Sequence, residues 1–139
     1  MHVGLHDFDD GRKKSSLLND VLDVEGINIL WMSSKQPGLK KYHFWNLTCK
    51  TVDEIALQGL KLNSDCKHVS HGYRRSKWVL RIAGKWRDGE QYKEPPILLH
   101  TWCNPSSRPQ SIPHFRLFEA LTGKTICENE SYQWIGDAA

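Results

Sequence analysis

The stretch that decides the fold runs from Ile27 to Glu54 and reads INILWMSSKQPGLKKYHFWNLTCKTVDE. Ile27–Ser33 is a short apolar run rich in β-forming residues, which predicts a strand. Lys35–Gly38 predicts a tight turn, because its proline presets φ and its glycine accepts a positive φ. Lys41–Thr48 predicts a second strand, so that the two runs form a hairpin. Thr51–Glu54 matches a capping box and predicts that a helix follows directly.

Outward from this hairpin the chain contains several weaker signals. Leucine and valine at helical spacing predict a short helix within Ser15–Leu22. Before it, the stretch from Met1 to about Lys14 has the character of a mobile tail or of the start of a fragment. The helix after the hairpin spans Val52–Lys61, and the polar tract Asn63–Ser76 predicts a loop because it has no regular period. Further strands are predicted at Lys77–Ala83, Ile97–Trp102 and His114–Glu119, with one more hairpin after Ala120 whose turn is Thr122–Gly123.

This order of elements predicts an α+β fold with two layers, in which a mixed sheet of about five strands packs on one main helix. A chain of 139 residues is long enough for one domain with a real core. We expect an N-terminal tail over residues 1–23, the domain over residues 24–120, and a C-terminal extension over residues 121–139.

The charge pattern and the cysteines limit the class of protein. The net charge of +3 is mild, but basic residues concentrate in the middle of the chain and acidic residues in the first 25 positions. We see no secretory signal, no apolar run as long as a membrane helix, and no CxxC spacing among the four cysteines. These observations predict a cytoplasmic protein with reduced thiols.

Three stretches resemble the Ras-associating and Ras-binding domains of small-GTPase effectors, which have a ubiquitin-like β-grasp fold. The first is the hairpin that leads directly into a capped helix. The second, KWVLRIAG at 77–84, resembles the third strand of these domains. The third, EPPILLHTW at 94–102 followed by FRLFE at 115–119, resembles their closing pattern. The resemblance covers roughly Val24 to Ala120.

The resemblance implies a non-catalytic interaction module of a larger signalling protein, without metal or cofactor. In this family the second strand lies at the sheet edge and pairs with a strand of the GTP-loaded GTPase, whose switch region is acidic. The implied GTPase-binding residues are Lys35, Lys40, Lys41, His43, Trp45, Lys50 and Lys61. The resemblance also implies a monomer that contacts no nucleic acid directly and reaches the membrane only through the lipidated GTPase.

Other interpretations remain open at this point. Lys40 and Lys41 also suit a solvated hairpin end, and the domain could pack within its parent protein in the manner of a FERM lobe. The basic tract from Lys67 to Arg81, with Tyr73 and Trp78, is compatible with a nucleic-acid-binding domain. Zinc binding or a Cys–His pair would draw on Cys66, His68, His71, His100, Cys103 and His114, but the spacing is not that of a standard finger.

Overall fold

The computed structural model describes residues 2–32, 41–80, 85–87, 90–92, 97–122 and 133–134. The strands are β1 (His2–Phe8), β2 (Gly26–Met32), β3 (Tyr42–Lys50), β4 (Lys85–Arg87), β5 (Glu90–Tyr92), β6 (Ile97–Asn104), β7 (Pro109–Gln110) and β8 (Gln133–Trp134). The helices are α1 (Lys14–Val21), α2 (Val52–Lys61), α3 (Cys66–Arg75) and α4 (Ile112–Thr122).

The main sheet is built around β3. Antiparallel β1 and β2 flank it, with Leu5 opposite Trp45 on one side and Ile29 opposite Trp45 on the other. Beyond β2 lies β6, also antiparallel, so the order of the long strands is β6-β2-β3-β1. At the end of β3, Thr48 pairs with Gln110 of β7, and β8 lies parallel to β7.

Each face of the sheet is covered by a different helix, because successive side chains along a strand point to opposite faces. On one face Ile29, Trp31 and Trp45 pack against Phe115 and Phe118 of α4. On the other face an apolar cluster from the sheet packs against α1; its buried members are Phe8, Leu17, Val21, Leu30, Tyr42 and Phe44.

Helices α2 and α3 form a pair beside β1. The predicted capping box is present, with the Thr51 hydroxyl accepting from the Glu54 backbone and the Glu54 carboxylate accepting from the Thr51 backbone. Four residues, 62–65, separate α2 from α3. Ile55, Val69 and Trp78 are buried between the two helices and the segment after α3.

The strongest local predictions are confirmed. The strands β2, β3 and β6 overlap the apolar and β-rich runs predicted at 27–33, 41–48 and 97–102, although residue 33 is outside the described residues and residue 41 precedes β3. The two predicted helices are α1 and α2. The α+β class is confirmed, although the described residues contain four helices instead of one main helix. The turn predicted at Lys35–Gly38 lies outside the described residues.

Five predictions about local structure are wrong. The expected tail over Met1–Lys14 contains β1, because pairing with β3 satisfies its backbone. The expected loop Asn63–Ser76 contains α3, whose apolar side consists of little more than Val69 and Gly72. The strand expected at His114–Glu119 is α4. Thr122, expected in the turn of a last hairpin, belongs to the same helix, and Gly123, the other residue of that turn, lies outside the described residues. Lys77–Leu80, expected to begin a strand, has no regular structure.

Candidate functional site

The strand predicted to bind a GTPase at the sheet edge is an interior strand. Its backbone is paired with β1 along one side and with β2 and β7 along the other. An edge strand recruits a partner through unpaired N–H and C=O groups, and β3 has used these groups within its own sheet. The prediction that this strand lies at the edge is therefore wrong.

Three of the five described residues that were proposed for that contact are buried. His43 and Trp45 are each 3% exposed and Lys50 is 6% exposed. Lys61, in the last turn of α2, is exposed, and Lys41 is half-buried. Lys35 and Lys40 lie outside the described residues. The seven predicted residues are thus not brought together on one described surface.

Lys50 takes part in a buried polar network instead of facing solvent. Its Nζ donates to Oδ1 of Asn46 at 3.0 Å and lies 3.8 Å from Oε1 of Glu25. Burial lowers the pKa of Lys50, and the nearby Glu25 carboxylate opposes that shift. An ammonium held in this way cannot also pair with an acidic switch region.

Amide side chains extend the network across the junction of β2, β3 and β7. Nδ2 of Asn46 donates to the Glu25 carbonyl and to Oδ1 of Asn28, at 2.7 and 2.8 Å. The Thr48 hydroxyl donates to the same carbonyl at 3.0 Å, and Oε1 of Gln110 accepts from the Ile27 backbone at 3.1 Å. These bonds satisfy buried backbone groups where the sheet ends, so their role is structural.

The exposed functional groups concentrate instead on α3, which is bound to β1 through its N-cap residue and its first turn. The Asp65 side chain caps the helix by accepting from the Lys67 backbone at 3.0 Å. The Asp65 backbone N–H donates to the Asp7 carbonyl at 2.7 Å, and Nε2 of His68 donates to the Leu5 carbonyl at 2.9 Å. These contacts occupy the outer side of β1 and hold α3 in a defined position.

The outward face of α3 is basic. Val69 and Gly72 are buried, whereas Lys67, His71, Arg74 and Arg75 are exposed, and so is Lys77 just beyond the helix. Since α-helical residues repeat every 3.6 positions, the outward residues at 67, 71, 74 and 75 lie on one side. No acidic residue occurs between Cys66 and Arg75.

Two glycines allow α3 to pack closely against its neighbours. A Cβ on Gly59 of α2 would lie 2.8 Å from Cγ2 of Val69. A Cβ on Gly72 would lie 2.0 Å from Nε1 of Trp78, so the indole ring rests directly on the helix backbone at this point. This close packing holds α3 in place while its basic face stays exposed to solvent.

Two concavities flank α3. A small pocket of about 90 Å³ is lined by His68, His71, Gly72, Arg75, Lys77, Trp78 and Val79. A larger apolar groove of about 660 Å³ lies between α2 and α3, with Leu57, Leu60 and Tyr73 among its lining residues. These three side chains are 59%, 56% and 50% exposed. The first concavity is suited to anions and the second to apolar groups.

The other clusters of polar side chains among the described residues give weak support for a metal or catalytic site. The carboxylates of Asp7, Asp9 and Asp65 lie within 4.8 Å of one another, but Asp65 already caps α3. The Ser111 hydroxyl and Nδ1 of His114 are 2.7 Å apart across the first turn of α4, a contact between neighbouring side chains on one helix end. Cys66, His68 and His71 occupy helix positions that do not share one face.

The described cysteines differ in burial and in disulfide bonding. Cys49 is buried and Cys66 is exposed, and both are free, whereas Cys103 is disulfide-bonded. The expectation of four reduced thiols is therefore wrong for Cys103. Burial raises the pKa of the Cys49 thiol, which disfavours its reactive thiolate form.

Comparison of the chain with protein-family models, with curated proteins and with solved structures produced no match. Within the described ranges, none of the helices is both long and apolar enough to cross a lipid bilayer. The assignment of a function therefore depends on the chemistry of the α3 surface.

Proposed function

We propose that this protein binds nucleic acid through the basic face of α3. The observation that supports this most directly is the exposure of Lys67, Arg74, Arg75 and Lys77 along one short helix and its immediate continuation, with no acidic residue on the helix. A concentrated basic face, unlike a mild net charge, is the electrostatic feature of nucleic-acid-binding proteins.

The arrangement of α2 and α3 adds to this argument. Two helices joined by a connection of 3–4 residues are typical of helix-turn-helix units, whose second helix enters the major groove. Here the connection has four residues, and the second helix is the basic one. An α-helix with its side chains is about 10–12 Å across, which suits a major groove about 12 Å wide.

The salt dependence of binding tests this proposal. Four phosphate contacts predict that the logarithm of the association constant falls with the logarithm of salt concentration with a slope of about −3 to −4. Fluorescence anisotropy with a labelled generic duplex and a single strand, between 50 and 200 mM salt, measures this slope. Arg74→Ala is expected to weaken binding and to reduce the steepness of the slope by about 1.

Arg116→Ala is the matched control, because Arg116 is an exposed arginine on a different helix, α4, which packs on the sheet through Phe115 and Phe118. This control is expected to retain the affinity and the salt slope of the unmodified protein. The proposal fails if neither nucleic acid binds at 50 mM salt, or if the two arginine variants lose affinity equally.

A second candidate function is packing against another part of a parent protein, as in the FERM-like interpretation. The exposed Leu57, Leu60 and Tyr73 of the α2–α3 groove favour it, because adjoining exposed apolar side chains commonly mark contact surfaces. Under this interpretation Leu57→Glu would abolish the contact, whereas nucleic-acid binding by α3 would be retained.

The GTPase-effector prediction stays untested, as do the ubiquitin-like β-grasp fold and the cytoplasmic location. Support for the β-grasp is the β2–β3 hairpin that leads directly into the capped α2. A GTPase would have to bind a surface other than the edge of β3, because both sides of this strand are paired. Titration with GTP-analogue and GDP forms of Ras-family proteins is the direct test.

A further inference from the structure

The pocket beside the C-terminal half of α3 is formed by an abrupt reversal of the chain. Ser76 adopts the left-handed conformation, with φ 56° and ψ 28°. The Lys77 backbone N–H then donates to the Gly72 carbonyl at 3.0 Å, a bond that belongs to a Schellman motif. The reversal places Lys77 and Trp78 next to Arg75 and His71 of the helix.

One wall of this pocket is rigid. Trp78 is 9% exposed and rests on the backbone at Gly72, where no larger residue would fit without movement. His68 is also held in place, because its Nε2 donates to the Leu5 carbonyl. A fixed indole wall and a fixed imidazole define a preformed cavity, so little conformational entropy would be lost when it is filled.

The pocket has cationic groups available for a ligand. None of its lining residues is acidic. Among the described residues, the structure shows no ion pair or hydrogen bond made by the side chains of Arg75 and Lys77. A volume of about 90 Å³ is enough for a group of the size of one phosphate or a few water molecules.

Cations near a helix C-terminus also have a simpler explanation, since they interact favourably with the helix dipole. That effect accounts for basic residues in the last turn, but it requires neither a pocket nor a rigid indole wall. The dipole also opposes an anion at this end of the helix. The Schellman bonds reduce this opposition, because they give partners to the carbonyls of Gly72 and Tyr73.

We propose that this pocket binds a single phosphate group of the nucleic-acid backbone, with Arg75 and Lys77 as donors and Trp78 as the fixed wall. This inference rests on the proposed function and adds a specific binding site for one phosphate on the basic face. Arginine presents a planar donor fork and lysine a compact charge, so the two together match a tetrahedral anion.

Two-dimensional ¹H–¹⁵N NMR titrations test whether the pocket is a phosphate-binding site. Inorganic phosphate is added to the full chain, with sodium chloride at matched ionic strength as the control. A saturable shift confined to the pocket, including the Lys77 amide and the Trp78 indole, is expected with phosphate and not with chloride. Lys77→Ala is expected to weaken phosphate binding about tenfold, and Lys77→Arg to restore most of it.

A second arm uses the short generic duplex and separates this inference from the proposed function. Lys77→Ala is expected to weaken duplex binding about tenfold, whereas Arg74→Ala is expected to weaken duplex binding but leave inorganic phosphate binding unchanged. If Arg74→Ala lowers the affinity for the duplex but Lys77→Ala does not, the pocket is not a phosphate-binding site, whereas the proposed function is retained. Phosphate binding without any duplex binding would instead contradict the proposed function, and with it the assignment of the ligand to a nucleic-acid backbone.

Discussion

At the scale of single residues, burial decides which polar groups are available for function. Lys50 and His43 have the chemistry of a binding site, but the sheet encloses them, whereas Arg74 and Lys77 remain exposed. The same enclosure affects His6, which is 1% exposed and donates from Nε2 to Oε1 of Gln58 at 2.7 Å. Burial lowers the pKa of His6 to about 4; the hydrogen bond to Gln58 opposes this shift, and the nearby His68 and Lys50 add to it.

We therefore expect the free energy of unfolding to decrease as the pH falls from about 6.5 to about 4. His6 has a pKa of about 4 in the folded state and 6.5 in the unfolded state, so the unfolded state binds more protons in this window. The full loss is about 3 kcal/mol, reached below pH 4, and it is absent above pH 6.5. Urea unfolding at pH 7.5, 5.5 and 4.5 measures it.

The comparison variant for this prediction is His6→Gln, whose amide keeps an N–H donor but does not titrate. Its stability is expected to change less between pH 6.5 and 4 than that of the unmodified chain. An identical pH dependence in both proteins would assign the effect to other groups, such as His114, whose pKa burial also lowers.

At the scale of elements, α3 shows how a helix forms without a strong apolar stripe. Its buried side consists of Val69 and Gly72, and its ends are stabilised by the Asp65 cap and the Schellman motif. The residue in the left-handed position of that motif is Ser76, although glycine is usual there because it has no Cβ to clash with the backbone.

Replacing Ser76 by glycine is expected to stabilise the protein by about 0.5–1 kcal/mol, because the steric strain of a left-handed side chain is larger than the added entropy of the unfolded chain. Ser70→Gly is the matched control, since Ser70 is an exposed residue inside the same helix and glycine there should destabilise by a few tenths of a kcal/mol. Thermal unfolding monitored by circular dichroism shows whether each of the two substitutions raises or lowers the stability. Destabilisation by Ser76→Gly would contradict this account of the turn.

At the scale of the whole molecule, the N-terminal strand completes the domain. Pairing with β1 covers one side of β3, and the carbonyls of Leu5 and Asp7 on β1 receive hydrogen bonds from α3. Phe8, which is 1% exposed, adds a large side chain to the core. The expected boundary at residue 24 therefore separates parts that share one sheet.

Deletion of residues 1–9 is expected to abolish cooperative unfolding and to cause aggregation, because it exposes one side of β3 and removes the anchor of α3. As a milder test, Phe8→Ala should destabilise the chain by about 3–5 kcal/mol, whereas exposed Asp9→Ala should change stability by less than about 0.5 kcal/mol. Denaturant unfolding and size-exclusion chromatography report these outcomes. A truncated chain that stays monomeric and unfolds cooperatively would show that β1 is dispensable.

Local signals were sufficient to predict β2, β3, α2 and its capping box, because each depends on residues within a few positions of one another. Capping involves side chains and backbone three residues apart, and a run of β-forming residues is visible within seven or eight positions. The sequence before α4 also contains residues typical of a helix start, with Ser111 directly before the helix and Pro113 in its first turn, but the alternation of His114–Glu119 favoured a strand.

The candidate site was only partly predictable. The sequence by itself determined the local hairpin, the capped helix and the basic character of residues 67–77, since composition and short-range pairing do not depend on the rest of the chain. Only the tertiary structure decided that β3 is interior, that Lys50 is buried and that α3 presents its cations on one face. Strand order and helix docking depend on contacts between residues distant in sequence, here β1 with β3 and β1 with α3, which no local pattern specifies.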